Sequence, residues 1–232
     1  MRSSISKALL TVSVLLCPCV ALAAPLTVLN PGFESPVLAN GDSSASALNW
    51  AEAPSIFALS LNPSAADMNG GLAAEGNNVG ASVKLENSPT MLFQSLAATL
   101  SANTTYTLTV AIGHPIPNAP PFGPPLTYGG YQVVLSAGNT VLAQDNTSIV
   151  VPLGEYRTST VNYTALPGNP LLGQPLVITL LTPGSTTFDG VYFDDVKLDA
   201  TPVPEPSAVV SIALGGLLLL RVRRKVGVKS RF

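Results

Sequence analysis

Cysteine is almost missing from this chain, and the two that occur, Cys17 and Cys19, lie in an N-terminal stretch that has the features of an export signal. Without that stretch the chain has no thiol, so disulfides and thiolate zinc sites are excluded. The single histidine, His114, directly precedes Pro115, and no Gly-x-Ser-x-Gly sequence occurs to present a nucleophilic serine. These absences favour a protein that is not an enzyme.

Basic residues are equally scarce in the middle of the chain. Residues 24–202 carry 12 acidic side chains but only Lys84, Arg157 and Lys197, a formal net charge of −9. Such a domain repels nucleic acid and anionic lipid. Because Asp189, Asp194, Asp195 and Asp199 lie close together in sequence, a carboxylate-dependent glycosidase is the catalytic alternative.

The middle of the chain has the pattern of a β protein, rich in Thr, Val, Ser and Asn and interrupted by Pro and Gly turns. The clearest alternating or apolar segments are 104–112, 131–137, 157–165, 176–181 and 191–198, and 148–151 is a shorter candidate. We expect one all-β domain over residues 24–200, an antiparallel β-sandwich of the jelly-roll kind.

Both ends of the chain predict export. Arg2 and Lys7 precede an apolar stretch that ends at Ala21-Leu22-Ala23, so residues 1–23 are predicted to form a signal helix and to be removed. After a linker at 201–206, residues 207–220 form a 14-residue apolar run, roughly 21 Å as a helix. A transmembrane segment there, with the basic tail 221–232 in the cytoplasm, places the domain outside the inner membrane.

The C-terminal region resembles the PEP-CTERM sorting signal of exported bacterial proteins. The resemblance rests on Val203, Pro204, Glu205 and Pro206, followed by the apolar run and the basic cluster Arg221, Arg223, Arg224 and Lys225. It implies processing by signal peptidase and by an exosortase-type membrane protease. It also implies a non-catalytic, structural or binding role at the cell envelope or in the extracellular matrix. A plain tail anchor on a proline-rich stalk is the alternative.

The domain itself resembles galactose-binding-like jelly rolls, which include many carbohydrate-binding modules. The similar stretches are 29–34 (LNPGFE) and 193–196 (FDDV). The resemblance implies a structural calcium held between Glu34 and Asp194, and strand alternation puts Asp194 on the face of Tyr192, Val196 and Leu198. In the alternative, Glu34 caps a turn and Asp194 accepts backbone hydrogen bonds.

Two further roles fit a non-catalytic domain. Binding of exopolysaccharide requires an exposed aromatic ring, and Tyr128, beside the proline-rich stretch 114–125, is the candidate contact. An ice-binding surface requires an ordered array of threonines, for which Thr105, Thr107 and Thr109 are the only sequence support. Apart from calcium, no cofactor is expected.

Overall fold

The computed structural model describes residues 22–53, 58–84, 90–117, 126–184 and 188–203. Within these ranges the chain forms thirteen β-strands and one short 3₁₀ turn, Asn69–Gly71. The strands are β1 (Ala24–Leu26), β2 (Ser43–Ser44), β3 (Ala51–Ala53), β4 (Ala58–Leu61), β5 (Val79–Val83), β6 (Met91–Thr99), β7 (Thr104–Gly113), β8 (Thr127–Tyr128), β9 (Gln132–Ala137), β10 (Thr140–Asp145), β11 (Tyr156–Ala165), β12 (Pro175–Leu181) and β13 (Asp189–Pro202).

The strands form two sheets. The larger has eight strands in the order β11-β7-β13-β5-β4-β2, with β1 and β8 also paired to β13. The smaller has five strands in the order β10-β9-β12-β6-β3. All pairs are antiparallel except that of β8 with β13. The prediction of an all-β antiparallel sandwich is therefore confirmed.

The main core lies between the sheets and follows the alternation of the strands. Leu108, Val110 and Ile112 of β7 point into it, opposite Ile178 and Leu180 of β12, and all five are fully buried. A Phe33–Trp50 stack, with ring centroids 5.2 Å apart, closes one part of this core. Burial of these apolar side chains is the principal force that holds the two sheets together.

A second, smaller apolar cluster lies on the face of the larger sheet that is turned away from the smaller one; we call this the outer face. Its eight members, here called the outer cluster, are Leu59, Leu61, Met68, Val79, Ala81, Val83, Leu126 and Tyr192. Each is 5% exposed or less. A sheet that is buried on both of its faces is unusual for an antiparallel sandwich, where one face normally meets solvent. The outer face is therefore a candidate location for a functional site.

Several expectations about the strands need correction. Residues 148–151, predicted as a strand, are not one, because the Asp145 carboxylate accepts hydrogen bonds from the amides of Thr147 and Ser148 and turns the chain. The predicted signal and C-terminal helices lie outside the described residues. Among the residues described, no helix is long and apolar enough to cross a membrane.

A β-bulge in β13 also corrects the predicted face of Asp194. The register with β7 shifts between Asp194 and Lys197, where Asp195 adopts a φ of 48° and the Val196 amide bonds to the Pro31 carbonyl at 3.1 Å. Tyr192 and Asp194 therefore lie on the outer face, whereas Val196 and Leu198 point into the main core. The bulge is the physical reason that simple alternation failed here.

Candidate functional site on the outer face

Two tyrosines lie side by side on the outer face because the residue between them is a glycine. Tyr156 of β11 pairs with Gly113 of β7, which pairs in turn with Tyr192 of β13. A Cβ on Gly113 would lie 2.6 Å from Cε1 of Tyr156 and 3.0 Å from Cβ of Tyr192. Any larger residue at position 113 would displace the Tyr156 ring, so this glycine keeps the two phenols together.

The Tyr156 hydroxyl is buried and has no hydrogen-bond partner among the described residues. A buried hydroxyl without a partner costs roughly 1–3 kcal/mol. Burial, followed by the charge of Asp194 and the effects of Tyr192 and Asp67, raises the pKa of Tyr156 well above its usual range. The phenol therefore remains a neutral hydrogen-bond donor.

Asp194 supplies a carboxyl group beside these rings. It is 0% exposed, and its Oδ2 and Oδ1 accept hydrogen bonds from the amides of Glu75 (2.8 Å) and Asp195 (2.7 Å). Burial raises its pKa to about 7, although these amides act in the opposite direction. Near neutral pH a substantial fraction of Asp194 therefore carries a proton, as a general acid requires.

A second carboxylate, Asp67, approaches the same tyrosines from the segment that covers the outer face. It is 7% exposed, and its Oδ2 accepts hydrogen bonds from Ser64 N at 2.8 Å and Ser64 Oγ at 2.6 Å. Burial is the main cause of the raised pKa of Tyr192, and the negative charge of Asp67 is the next. Both carboxyl groups are thus within electrostatic reach of the phenols.

The described basic side chains have their contacts elsewhere. Arg157 pairs with Glu155 at 2.7 Å, Lys197 pairs with Asp195 at 2.6 Å, and Lys84 donates to the Gly184 carbonyl at 2.5 Å. Within the described ranges, no salt bridge joins a cation to Asp67 or Asp194. The site therefore combines buried apolar side chains, two neutral phenols and two carboxyl groups that have no salt-bridge partner among the described residues.

The two predicted calcium ligands, Glu34 and Asp194, both lie against one loop, residues 74–78. Each carboxylate accepts hydrogen bonds from backbone amides of that loop. Glu34 Oε1 accepts from the amides of Asn77 and Asn78, each at 2.8 Å, while Asp194 bonds the same loop at Glu75. No group of three or more His, Cys, Asp or Glu side chains that could hold a metal is assembled in the described part of the chain. These contacts correspond to the alternative in which Glu34 caps a turn and Asp194 accepts backbone hydrogen bonds. Calcium binding stays a prediction.

The other predicted site residues lie away from the outer face or outside the described ranges. Tyr128, expected to be exposed, is half-buried and stacks on His114 with ring centroids 4.2 Å apart. Burial, then the charge of Tyr131, raises its pKa to about 12. Val203 is exposed, and its amide donates to the Asn103 carbonyl. Pro204, Glu205, Pro206 and the basic cluster at 221–225 lie outside the described residues.

The threonine array, too, has another use in the structure. Thr105 Oγ1 bonds Thr164 Oγ1 at 2.9 Å, and Thr107 Oγ1 donates to Asn162 Oδ1 at 2.9 Å. These hydroxyls therefore join β7 to β11. Sequence reasoning also missed Tyr156, Tyr192 and Asp67 as candidate site residues, because their proximity depends on strand pairing across distant segments, and no local pattern in the sequence indicates that pairing.

Comparison with known proteins identifies the relatives of this fold. A family model, described as HpiC1-like (HpiC1 cyclase), matches residues 24–199. The Stig cyclase Fisc from Fischerella sp. TAU, solved with (3Z)-3-(1-methyl-2-pyrrolidinylidene)-3H-indole, is 31% identical with a TM-score of 0.71, covering 79% of this chain and 100% of that one.

A second structure supports the same relationship. A cyclase from Fischerella sp. TAU in complex with 4-(1H-indol-3-yl)butan-2-one is 32% identical with a TM-score of 0.70, covering 78% of this chain and 100% of that one. Among curated protein sequences, none matches this chain significantly. The likeness to a carbohydrate-binding module has a TM-score of 0.34 at 19% identity, too low to carry an argument.

These findings overturn several expectations. The identification as a PEP-CTERM protein with a carbohydrate-binding module is wrong, and so is the assignment of a non-catalytic structural or binding role, whether in matrix, on polysaccharide or on ice. A family of cyclases takes small-molecule substrates, so exosortase, signal peptidase and exopolysaccharide are not supported as partners. Since the family model spans residues 24–199, the chain belongs to the HpiC1-like cyclase family.

Proposed function

We propose that the protein is a cyclase that closes a ring within a small, apolar, indole-bearing substrate, and that the outer face is its active site. The observation that carries this proposal is the buried, unpartnered Tyr156 hydroxyl, which lies with Tyr192 and Asp194 against the outer cluster. The indole class of substrate is suggested by the ligands in the structures of two relatives.

The chemistry required is modest and matches the residues present. Protonation of an unsaturated carbon of the substrate gives a cation that the indole ring delocalises. An internal π bond then attacks that cation and forms the new ring bond, and loss of a proton restores neutrality. The product is an isomer of the substrate, so no oxidant, reductant or co-substrate is needed.

Each residue has a separate role in these reaction steps. Asp194 is the candidate proton donor, and its carboxylate can take back the proton at the end. The faces of the Tyr156 and Tyr192 rings stabilise a positive charge, and such cation–π contacts are worth about 2 kcal/mol when desolvated. The Tyr156 hydroxyl offers a hydrogen bond that orients the substrate, and the outer cluster excludes water.

Turnover of indoles with an unsaturated side chain tests the proposal. Chromatography and NMR should detect products of unchanged mass, and D194N should lower turnover by about 100-fold or more, the usual contribution of a general acid. D195N is the matched control: Asp195 is the next residue, pairs with Lys197, and has a φ of 48° that asparagine tolerates. Wild-type turnover by D194N would show that the acid lies elsewhere.

We also propose that the domain is exported, on the support of the N-terminal segment 1–23 described above. Fractionation of the host should recover the protein outside the cytoplasm. Recovery of all of it in the cytoplasmic fraction would contradict export.

A further inference from the structure

We propose that Asp67 is a charge-stabilising residue of the outer-face site and that it selects ligands which are, or become, delocalised cations. This inference rests on the proposed function, because it assumes that substrate binds on the outer face. It adds a second carboxylate, with a role different from that of Asp194, and a preferred charge for the ligand.

The position of Asp67 is fixed from three directions. Its Oδ2 is held by Ser64 N and Oγ, and its carbonyl accepts a hydrogen bond from Ile116 N at 2.8 Å. Its neighbour Met68 is fully buried in the outer cluster together with Tyr192. A carboxylate held this firmly keeps its charge in place without reorganisation, which is the requirement for electrostatic stabilisation of a developing charge.

Within the described part of the chain, both hydrogen bonds to the carboxylate fall on Oδ2, from the amide and hydroxyl of a single serine. No described basic side chain forms a salt bridge with Asp67, since Lys84, Arg157 and Lys197 have the other partners given above. Tyr156 and Tyr192, whose raised pKa values keep them neutral, do not compensate the charge. A positively charged ligand on the outer face would therefore meet a carboxylate that has no cation of its own.

The ligands of the two relatives provide a matched pair of probes. (3Z)-3-(1-Methyl-2-pyrrolidinylidene)-3H-indole has two nitrogens joined through conjugated double bonds, so it takes a proton and spreads the positive charge over both ring systems. 4-(1H-Indol-3-yl)butan-2-one has a similar size and the same indole but stays neutral. The first compound resembles the proposed cationic intermediate, whereas the second resembles only its apolar part.

The test is titration calorimetry of both compounds with the wild type and three variants, at a pH where the base is protonated. D67N removes the charge and keeps the shape. S64A removes a hydrogen bond to the carboxylate and keeps the charge. D42N removes one negative charge from an exposed residue that lies before β2, and it controls for net charge.

We expect D67N to weaken binding of the protonated base by about tenfold or more, as loss of a charge pair in a partly desolvated site predicts, and to change binding of the ketone by less than about threefold. S64A and D42N should change the ratio of the two affinities little. An equal loss for both compounds in D67N, or the same ratio change in S64A, would assign Asp67 a structural role and overturn the inference.

The two levels of the proposal fail in different ways. Wild-type protein that binds neither compound would contradict the proposed function and this inference together. Wild-type protein that binds both, with an unchanged affinity ratio in D67N, would contradict only the role of Asp67. Circular dichroism of each variant establishes that the fold is retained before the affinities are compared.

Discussion

Two buried aspartates in this protein have opposite environments, and the contrast separates structure from function. Asp145, at the end of β10, accepts hydrogen bonds from Tyr131, Ser148 and Ser159 as well as from two backbone amides. Burial alone would raise its pKa, but the hydrogen bonds, with those from Ser148 and Ser159 foremost, bring it down to about 2. This carboxylate is fully paired and links the smaller sheet to β11 of the larger one.

Asp194 is buried more completely and accepts fewer hydrogen bonds, so burial raises its pKa to about 7. The tyrosines show the same contrast, because the Tyr131 hydroxyl donates to Asp145 and accepts from the Ile149 amide, whereas the Tyr156 hydroxyl has no partner in the described structure. A buried polar group that is fully paired stabilises the fold. One that is left incompletely paired costs stability and is available to a ligand.

The largest expected difference between the two aspartates is their dependence on pH. The raised pKa of Asp194 means that, from about pH 4 to 7, this group is protonated when folded and ionised when unfolded. The free energy of unfolding should therefore fall as pH rises through this window, by about 4 kcal/mol in total from this one group. Urea unfolding between pH 4 and 8 in chelator should show this fall in the wild type and a flatter profile in D194N.

Asp145 should give the opposite sign. Its folded-state pKa of about 2 lies below the ordinary aspartate value of 3.8, so its contribution to stability is present above about pH 4 and is lost as pH falls towards 2. A D145N variant that kept the full acid sensitivity of the wild type below pH 4 would contradict this assignment.

Removal of the Asp145 charge itself should have the next largest effect. D145N replaces an acceptor by an amide group that faces hydroxyl and N–H donors, so we expect a loss of about 3 kcal/mol in the free energy of unfolding at pH 7. D194N at the same pH should cost less, about 1 kcal/mol, because it removes a buried charge but also places an amide group against one of two backbone N–H donors. Equal destabilisation by both substitutions, measured by urea unfolding, would remove the distinction between the two sites.

The two tyrosines allow a matched comparison with a smaller effect. Tyr131→Phe should cost about 1–3 kcal/mol, because it leaves Asp145 and the Ile149 amide short of a partner. Tyr156→Phe should raise the free energy of unfolding by up to about 1–3 kcal/mol, because it removes an unpaired buried hydroxyl, and should weaken binding of an indole ligand whose polar group meets that hydroxyl. Thermal unfolding and calorimetry measure the two quantities; undiminished binding by Tyr156→Phe would remove the hydroxyl from the site.

The smallest expected effect concerns calcium at Glu34 and Asp194. If the ion binds, a chelator should lower the melting temperature by a few degrees, since a ligand bound only by the folded state stabilises it. An unchanged melting temperature would contradict calcium binding. A calcium-bound carboxylate stays ionised, so calcium binding at Asp194 and proton donation by Asp194 exclude each other. The effect of chelator on the melting temperature therefore tests both roles of this residue.

The sequence was sufficient for the sandwich but not for the site, and particular residues show why. The alternation in 104–112 predicts β7 because the period of side chains is a local property. The contact of Tyr156 with Tyr192 depends on the register of β11, β7 and β13, which no local pattern reveals. The lack of cysteine and the single histidine argue against thiolate and triad chemistry, but they do not exclude an enzyme, because the acid-promoted cyclisation proposed above needs only carboxyl groups and aromatic rings.

The central position of β13 makes activity a readout of correct folding. Val191 and Phe193 of this strand point into the main core, whereas Tyr192 and Asp194, which alternate with them, lie on the outer face. A slip of one residue would exchange the two sets, burying a carboxylate between the sheets and exposing a phenylalanine. Under the proposed function, turnover would occur only in molecules whose central strand has paired in register, so an assay of product would also count the correctly assembled fraction of a preparation.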